Sequence, residues 1–326
     1  MPRVTSKRLP TGKIPIDVLN TTVLRLTGAN SDMITTPAKA GVDFAAVRAG
    51  NGYIVVSADP VTGVSNEIGT YALRVSTNDV ATCGHRPQFA ESVILLPEGS
   101  TSRQVEEIAR QIHESAKRLE IAIVGGHTEV TPRLSHPIVV IAAFCYVGDY
   151  VSSGDAMPGD KIIMTKTAGM EGTAILGGSK RFLDKLSVVD EAVTAYRTGC
   201  VHAMHDCTEG GVLGAVFEMS LASRVGFELE EGKVPVAPET AELCRRHAMD
   251  PLKLIGSGAL LLSVKEGKEK QVMRALSPVR ATTIGTFKKS GRVLVRKDGS
   301  RTTLREAPED ELWRALARAS GRGHGP

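Results

Sequence analysis

Aromatic residues are scarce in this chain: 7 Phe, 5 Tyr and 1 Trp among 326 residues. A platform that stacks unpaired bases depends on such side chains, so a single-stranded nucleic-acid binder is disfavoured. Clustered basic charge is missing too. Lys and Arg total 40 against 36 acids, a net of +4, and the patches are as short as Lys288-Lys289. A phosphate-backbone footprint needs a block or stripe of basic residues, which argues against nucleic acid as a partner. The longest apolar run, Ile138 to Val147, has ten residues, about half of what a membrane span requires. No apolar signal core follows the first eight residues, so neither a membrane partner nor export is expected. The five cysteines (83, 145, 200, 207 and 244) are scattered, with no CxxC. They suit a reducing cytoplasm and argue against a disulfide framework or a zinc site. Neither GxxxxGK[ST] nor a GxGxxG placed after a strand occurs, which weighs against standard P-loop and Rossmann sites.

Glycine, by contrast, is abundant, with 33 residues. Glycine-rich loops let backbone N–H groups approach a ligand. Apolar residues at 42% and charged residues at 23% fit a folded globular chain, and the length fits two domains. The best break is the turn-rich stretch 152–160, dividing residues 1–150 from 151–326.

In the first half, 53–57 is β-rich and is expected to stop at Asp59-Pro60. Residues 68–83 carry Ile68, Ala72, Val75 and Val80 at helical spacing. Thr101 and Gln104 form a capping box for a helix to about 119, with Val105, Ile108, Ile112, Ala116 and Leu119 on one face. Ile121–Val124 and Ile138–Val147 read as buried strands. The second half reads as helices near 171–178, 188–198, 211–223, 238–247, 266–276 and 309–319. Strands are expected near 161–165, 201–204, 259–264, 281–287 and 292–297. The tail 321–326 is expected to lack order. Interleaved strands and helices make the class α/β or α+β, in two lobes.

Several short motifs carry chemistry. Asp59 before Pro60 is either a turn residue or a cation ligand. Asp79, between Asn78 and Val80, lies near the buried face of its helix and needs a partner or a cation there. Asp43, Asp59 and Asp79 together would suit Mg²⁺, a hard ion that bridges carboxylates to phosphates. Gly125-Gly126 is either a turn or a phosphate cradle, and His127 either a bonded loop residue or a base. In His205-Asp206-Cys207-Thr208-Glu209-Gly210-Gly211, Thr208 can cap the following helix and the paired glycines can admit an anion. Further glycine loops occur at 168–173 and 255–259. Lys13 sits in a mobile-looking N-terminal stretch. Cys83 and Cys207 read as buried small residues.

The ordered set resembles the aminoimidazole ribonucleotide synthetase superfamily. The motifs are GVDFAAV (41–47), SADPVTG (57–63), STNDVATCGHRP (76–87), GGHTEV (125–130), PGDKIIMTK (158–166), HDCTEGGVLGA (205–215) and DPLKLIGSGALL (250–261). The branch most similar is the one related to the hydrogenase-maturation protein. The resemblance implies a two-domain fold, an N-terminal mixed sheet that closes a β-barrel across a homodimer, and a C-terminal α/β domain. It implies ATP and Mg²⁺ as cofactors, with Asp43, Asp59 and Asp79 on the metal. Asn78, Gly125, Gly126, Thr128, Thr208, Gly210 and Gly211 would lie along the nucleotide, and Asp79, His127 and Lys13 would serve catalysis. The implied reaction is phosphoryl transfer to an amide, carbamoyl or similar oxygen of a small substrate. An ATP-binding accessory role in metal-centre maturation is the alternative. The hydrogenase-maturation enzyme has its reactive cysteine at its extreme C-terminus, whereas the last cysteine here is Cys244. Selenophosphate synthetase has one near its N-terminus, whereas the first here is Cys83. The acceptor stays open.

Overall fold

The structure is a computed structural model, and it describes residues 8–62, 66–177 and 180–319. Gly63 and the tail 320–326, on which two of the expectations above fall, lie outside those residues. In chain order the first lobe contains α1 (Ile16–Thr21), β1 (Ile34–Thr36), β2 (Ala45–Ala49), β3 (Gly52–Val61), α2 (Ile68–Ala81), β4 (Phe89–Leu96), α3 (Ser102–Leu119), β5 (Ala122–Val130) and β6 (Ile138–Val147). The second contains β7 (Lys161–Thr165), α4 (Met170–Ile175), α5 (Val189–Arg197), β8 (Val201–Asp206), α6 (Gly211–Ser223), β9 (Gly226–Glu230) and α7 (Pro238–His247). It continues with β10 (Leu260–Val264), α8 (Glu269–Leu276), β11 (Ala281–Lys288), β12 (Arg292–Val295), β13 (Arg301–Thr303) and α9 (Glu311–Ala319).

The first sheet runs β1-β2-β3-β6-β4-β5. Its β4–β5 pair is parallel and the others antiparallel. Helices α2 and α3 pack on it through Ile68, Ala72, Ile108 and Ile112. The capping box of α3 forms as expected: Thr101 Oγ1 accepts from the Gln104 N–H, and Gln104 Oε1 accepts from the Thr101 N–H. The amphipathic α3 buries only Ile108, Gln111, Ile112, Ser115 and Ala116, whereas all fourteen residues of α2 are buried. The difference arises because α2 has the sheet on one side and the second lobe on the other. Across that seam Asn78 donates Nδ2–H to the Leu186 carbonyl (2.8 Å) and accepts from the Val188 N–H (2.9 Å).

The second sheet runs β13-β12-β9-β11-β7-β10-β8. Only β9 and β12 pair in parallel. Its central strands are covered on both faces, so alternation disappears and all of β10 is buried. Ile162 and Met164 face α6, while Ile163 faces α5 and α8. The two-lobe α/β expectation holds, and the turn-rich stretch 152–160 lies between the two sheets.

Two expectations about the first sheet need correction. β3 does not stop at Asp59-Pro60 but continues to Val61, with Pro60 opposite Val140. Past Val56 it has lost β2 as a neighbour, and a proline is tolerated on such an edge. Residues 122–124 are not buried. They open β5, whose nine residues are all exposed because it is the last strand of the sheet.

Candidate active site

The end of α2 and the end of β8 meet at the seam between the lobes. Asp79, near the C-terminus of α2, accepts a hydrogen bond from Ser57 Oγ of β3 (2.9 Å). Among its acidic neighbours Asp59 acts on it most strongly. From the second lobe comes Asp206, the last residue of β8. Asp43 arrives on the loop before β2. That loop presses on α6 so closely that any side chain at Gly41 (φ +82°) would collide with the Glu218 carbonyl, and Lys39 Nζ donates to the Ala222 carbonyl (2.5 Å). Asp43 Oδ1 thereby comes 3.0 Å from His205 Nε2, which also lies 3.3 Å from Glu218 Oε2. Lys13 reaches in from the N-terminal segment and pairs with Glu218 Oε1 (2.7 Å).

Five carboxylates (43, 59, 79, 206 and 218) thus share one pocket with Lys13 and His205 as the cations facing them. The imbalance is visible in their proton affinities. Burial pushes Asp43 up to about 6, with the Glu218 charge adding to it and His205 opposing. Burial and then the charges of Asp59, Asp206 and Asp43 drive Asp79 well above the ordinary carboxylate range. Asp206 is driven up the same way by burial and Asp43. Glu218 goes the other way, down to about 2: burial opposes this, but the Lys13 ammonium and His205 prevail. His205 rises to about 9 although burial opposes it, because Asp43 and Glu218 hold the imidazolium.

Asp43 Oδ2 and Asp206 Oδ2 are buried without a hydrogen-bond partner. Ligand-type atoms of Asp43, His205 and Asp206 lie within 4.8 Å of one another; with His205 held as the imidazolium, the two carboxylates are the members that can take a cation. An oxygen-rich set with orphaned carboxylate oxygens fits a hard divalent ion. Asp43, Asp59 and Asp79 are therefore brought together, joined by three residues, His205, Asp206 and Glu218, to which the sequence reading gave no role of their own. One of those left a signal: Glu218 is the lone charge in the otherwise apolar helix GVLGAVFEMSLAS, and such a charge demands a partner. Asp206 and His205 were part of a quoted motif whose glycines drew attention instead.

The remaining predicted residues stand elsewhere. Gly125 and Gly126 lie inside β5, not in a loop after a strand. Gly126 (φ +146°) approaches the Ser92 backbone too closely for any side chain. Its rung runs Asp59–Ile141–Ser92–Gly126, which puts it three strands, or roughly 14 Å, from Asp59. His127 is exposed on that edge and faces Glu129 (3.1 Å), and Thr128 is exposed opposite Ile94. One protomer does not carry either to the carboxylates. Asn78 is fully buried, with both polar ends spent on the seam, so it has no free group for a nucleotide. Thr208 does not cap α6. The cap is Gly210, with no side-chain bond, because its left-handed φ of +80° turns the chain one residue pair later. The Gly210 N–H donates to Asp310 Oδ2 (2.6 Å), and Asp310 Oδ1 accepts from the Leu312 N–H (2.7 Å). A carboxylate of this chain thus occupies the anion position at the start of α6. Gly211 is explained by packing, since a Cβ there would lie 2.6 Å from the Leu252 carbonyl oxygen. The other two glycine loops meet each other: the Ser257 N–H donates to buried Glu171 (3.3 Å).

Comparison with known proteins agrees with this architecture. Residues 41–147 match the N-terminal domain of AIR synthase related proteins, and 157–298 match their C-terminal domain. A hydrogenase expression/formation protein of Methanocaldococcus jannaschii is 28% identical over 72% of this chain and 74% of its own. Carbamoyl dehydratase HypE of Escherichia coli is 29% identical over 67% of this chain and 68% of its own. Among solved structures, the hydrogenase maturation protein HypE in complex with ATP superposes with a TM-score of 0.71 at 22% identity, covering 93% of this chain and 98% of that one. Thiamine monophosphate kinase of Aquifex aeolicus gives 0.67 at 17% identity, with 88% and 97% covered. The two domain matches follow one another in order and span most of the sequence, and the chain belongs to the AIR synthase-related protein family.

Proposed function

We infer that the protein is an ATP- and Mg²⁺-dependent enzyme that activates a small substrate by phosphoryl transfer to an amide, carbamoyl or similar oxygen. The observation that carries this reading is the surplus of buried carboxylates at the seam, two with orphaned oxygens. A structural core has no use for that arrangement, and a cation bridging to phosphate resolves it. The resemblance of the fold to a HypE structure holding ATP supports the nucleotide.

Asp43, Asp206, Asp59 and Asp79 would hold Mg²⁺. When bound, the ion neutralises phosphate charge and orients the transferring group. The chain's own residues set the rest. Ser57 fixes the Asp79 carboxylate. His205 stays charged and keeps Asp43 turned toward the pocket. Lys13 brings a positive charge to the rim from the N-terminal segment. Catalysis of this kind is positioning and charge stabilisation more than covalent chemistry. Calorimetric titration with ATP should show binding that requires Mg²⁺, and a metabolite extract incubated with the enzyme should yield a species heavier by about 80 Da, one phosphoryl group. Absence of Mg²⁺-dependent ATP binding would sink the reading.

The exposed β5 edge supports a homodimer. An open strand edge with exposed Ile123, Val124 and Val130, flanked by Phe89 and Tyr146, is a surface that a soluble monomer normally blunts. A second copy covering this edge supports the β-barrel of the family. Light scattering should return twice the chain mass, and Val124→Lys, on that edge, should halve it. A monomeric wild type at micromolar concentration would refute the dimer.

A further inference from the structure

The N-terminal segment has a firmer seat than a loose tail. Gly12 (φ +99°) lies flat on the indole of Trp313 in α9: a Cβ at this position would stand 2.5 Å from Trp313 Nε1. The neighbouring backbone N–H, that of Lys13, donates to Glu209 Oε2 (2.7 Å). These two contacts tie the segment to the C-terminal helix and to the loop before α6. From that seat the half-exposed Lys13 stem carries its ammonium down to Glu218 (2.7 Å), where it also feels Asp43 and Asp79.

The acid pocket therefore contains a cation delivered from outside the two sheets, on a short tether anchored at two points. A divalent ion binding to Asp43 and Asp206 would enter the same field. Two neighbouring cations repel, and the tethered monovalent one is the easier to move. We propose that Lys13 is the counter-ion of the cation-free pocket, that Glu209 and Trp313 are positioning residues that hold it there, and that a divalent cation entering the pocket displaces it and lifts the strap of residues 8–15 off Trp313. This rests on the reading of the pocket as a Mg²⁺ site. It adds that metal occupancy is read out at the chain's other end.

The single Trp of the sequence is the reporter. Mg²⁺ added to the full-length protein without nucleotide should shift Trp313 emission to the red as the strap leaves the indole. Gly12→Ala, whose methyl group clashes with the ring but changes no charge, should show the shifted emission before any Mg²⁺ is added. Mn²⁺ binding, followed by loss of the free-ion paramagnetic resonance signal, should be about tenfold tighter in Lys13→Met than in wild type, because a unit charge competing for the same carboxylates is gone. Gly12→Ala should move the affinity in the same direction. Emission indifferent to Mg²⁺, or unchanged or weaker Mn²⁺ affinity in Lys13→Met, overturns the exchange. Mn²⁺ binding with the expected emission changes but no affinity for ATP would leave the exchange standing and refute the enzymatic reading instead.

Discussion

Asp79→Asn is expected to abolish ATP-dependent turnover while raising the melting temperature of the cation-free protein. The activity loss should be roughly three orders of magnitude in kcat/KM, matching the several kcal/mol that a bound metal ion supplies to a charged transition state. The amide keeps the shape of the carboxylate and can still accept from Ser57 Oγ, so the local fold has no reason to collapse. It removes one charge from a group of five that repel one another and that burial already disfavours. Relief of about 1 kcal/mol would raise the melting temperature by roughly 1–2 °C for a chain of this size. The pH dependence of stability has the same origin. The folded Asp43 takes up its proton near 6 rather than at the ordinary 3.8. Between those values the folded state holds a proton that the unfolded chain has released, so its contribution falls as pH rises through that window. His205, raised to about 9 from 6.5, gives stability that is complete below 6.5 and lost as pH climbs through 9. Both point to a cation-free protein that melts higher at pH 5 than at pH 8, a difference that saturating Mg²⁺ should shrink. Calorimetry on wild type and Asp79→Asn reads both effects. Full turnover by the variant, or a lower melting temperature, would refute the assignment.

The second large effect falls on stability. Asn78→Ala removes both bonds that α2 makes to residues 186 and 188, and it leaves the Leu186 carbonyl and the Val188 N–H buried without partners. Each orphaned group costs about 1–3 kcal/mol, so the total is roughly 2–6 kcal/mol and the melting temperature should drop by roughly 3–9 °C. Because the two bonds join the lobes, ATP binding should weaken alongside. Asn78→Asp is no rescue: it keeps an acceptor for Val188 but sets a second acceptor against the Leu186 carbonyl. An unchanged melting temperature in Asn78→Ala would show that the seam is held by apolar contact alone.

Much of the fold could be read from residue pattern where punctuation was strong. The start of α6 at 211 follows from the paired glycines there, and β7 from the turn formers that precede Lys161. The short strands β1, β2 and β13 carry too few residues for periodicity to show. β4 and β9 are hidden because their alternation is partial. Edges were the harder problem. Nothing local in Ile121–Val124 says that the strand will end its sheet, and nothing in Asp59-Pro60 says that β2 has already peeled away. In the site, the carboxylates of the first lobe were legible from motif order. Their partners His205, Asp206 and Glu218 come from the other lobe, where only tertiary packing brings them close. Asn78, Thr208 and Gly210 show the converse. Polar residues and glycines beside a site read as ligands, yet two of the three are consumed by the scaffold and the third caps nothing.

Helix α2 presents no side to solvent. An element packed on every side has few routes of change. A substitution on it disturbs either the sheet or the second lobe, whereas α3 and α8 can drift on their outer faces at little cost. The freedom to acquire a new acceptor must therefore reside away from α2, in the loops and the rim of the second lobe. The same helix that anchors Asp79 is thus among the elements with least room to change, a fixed chassis beneath the site.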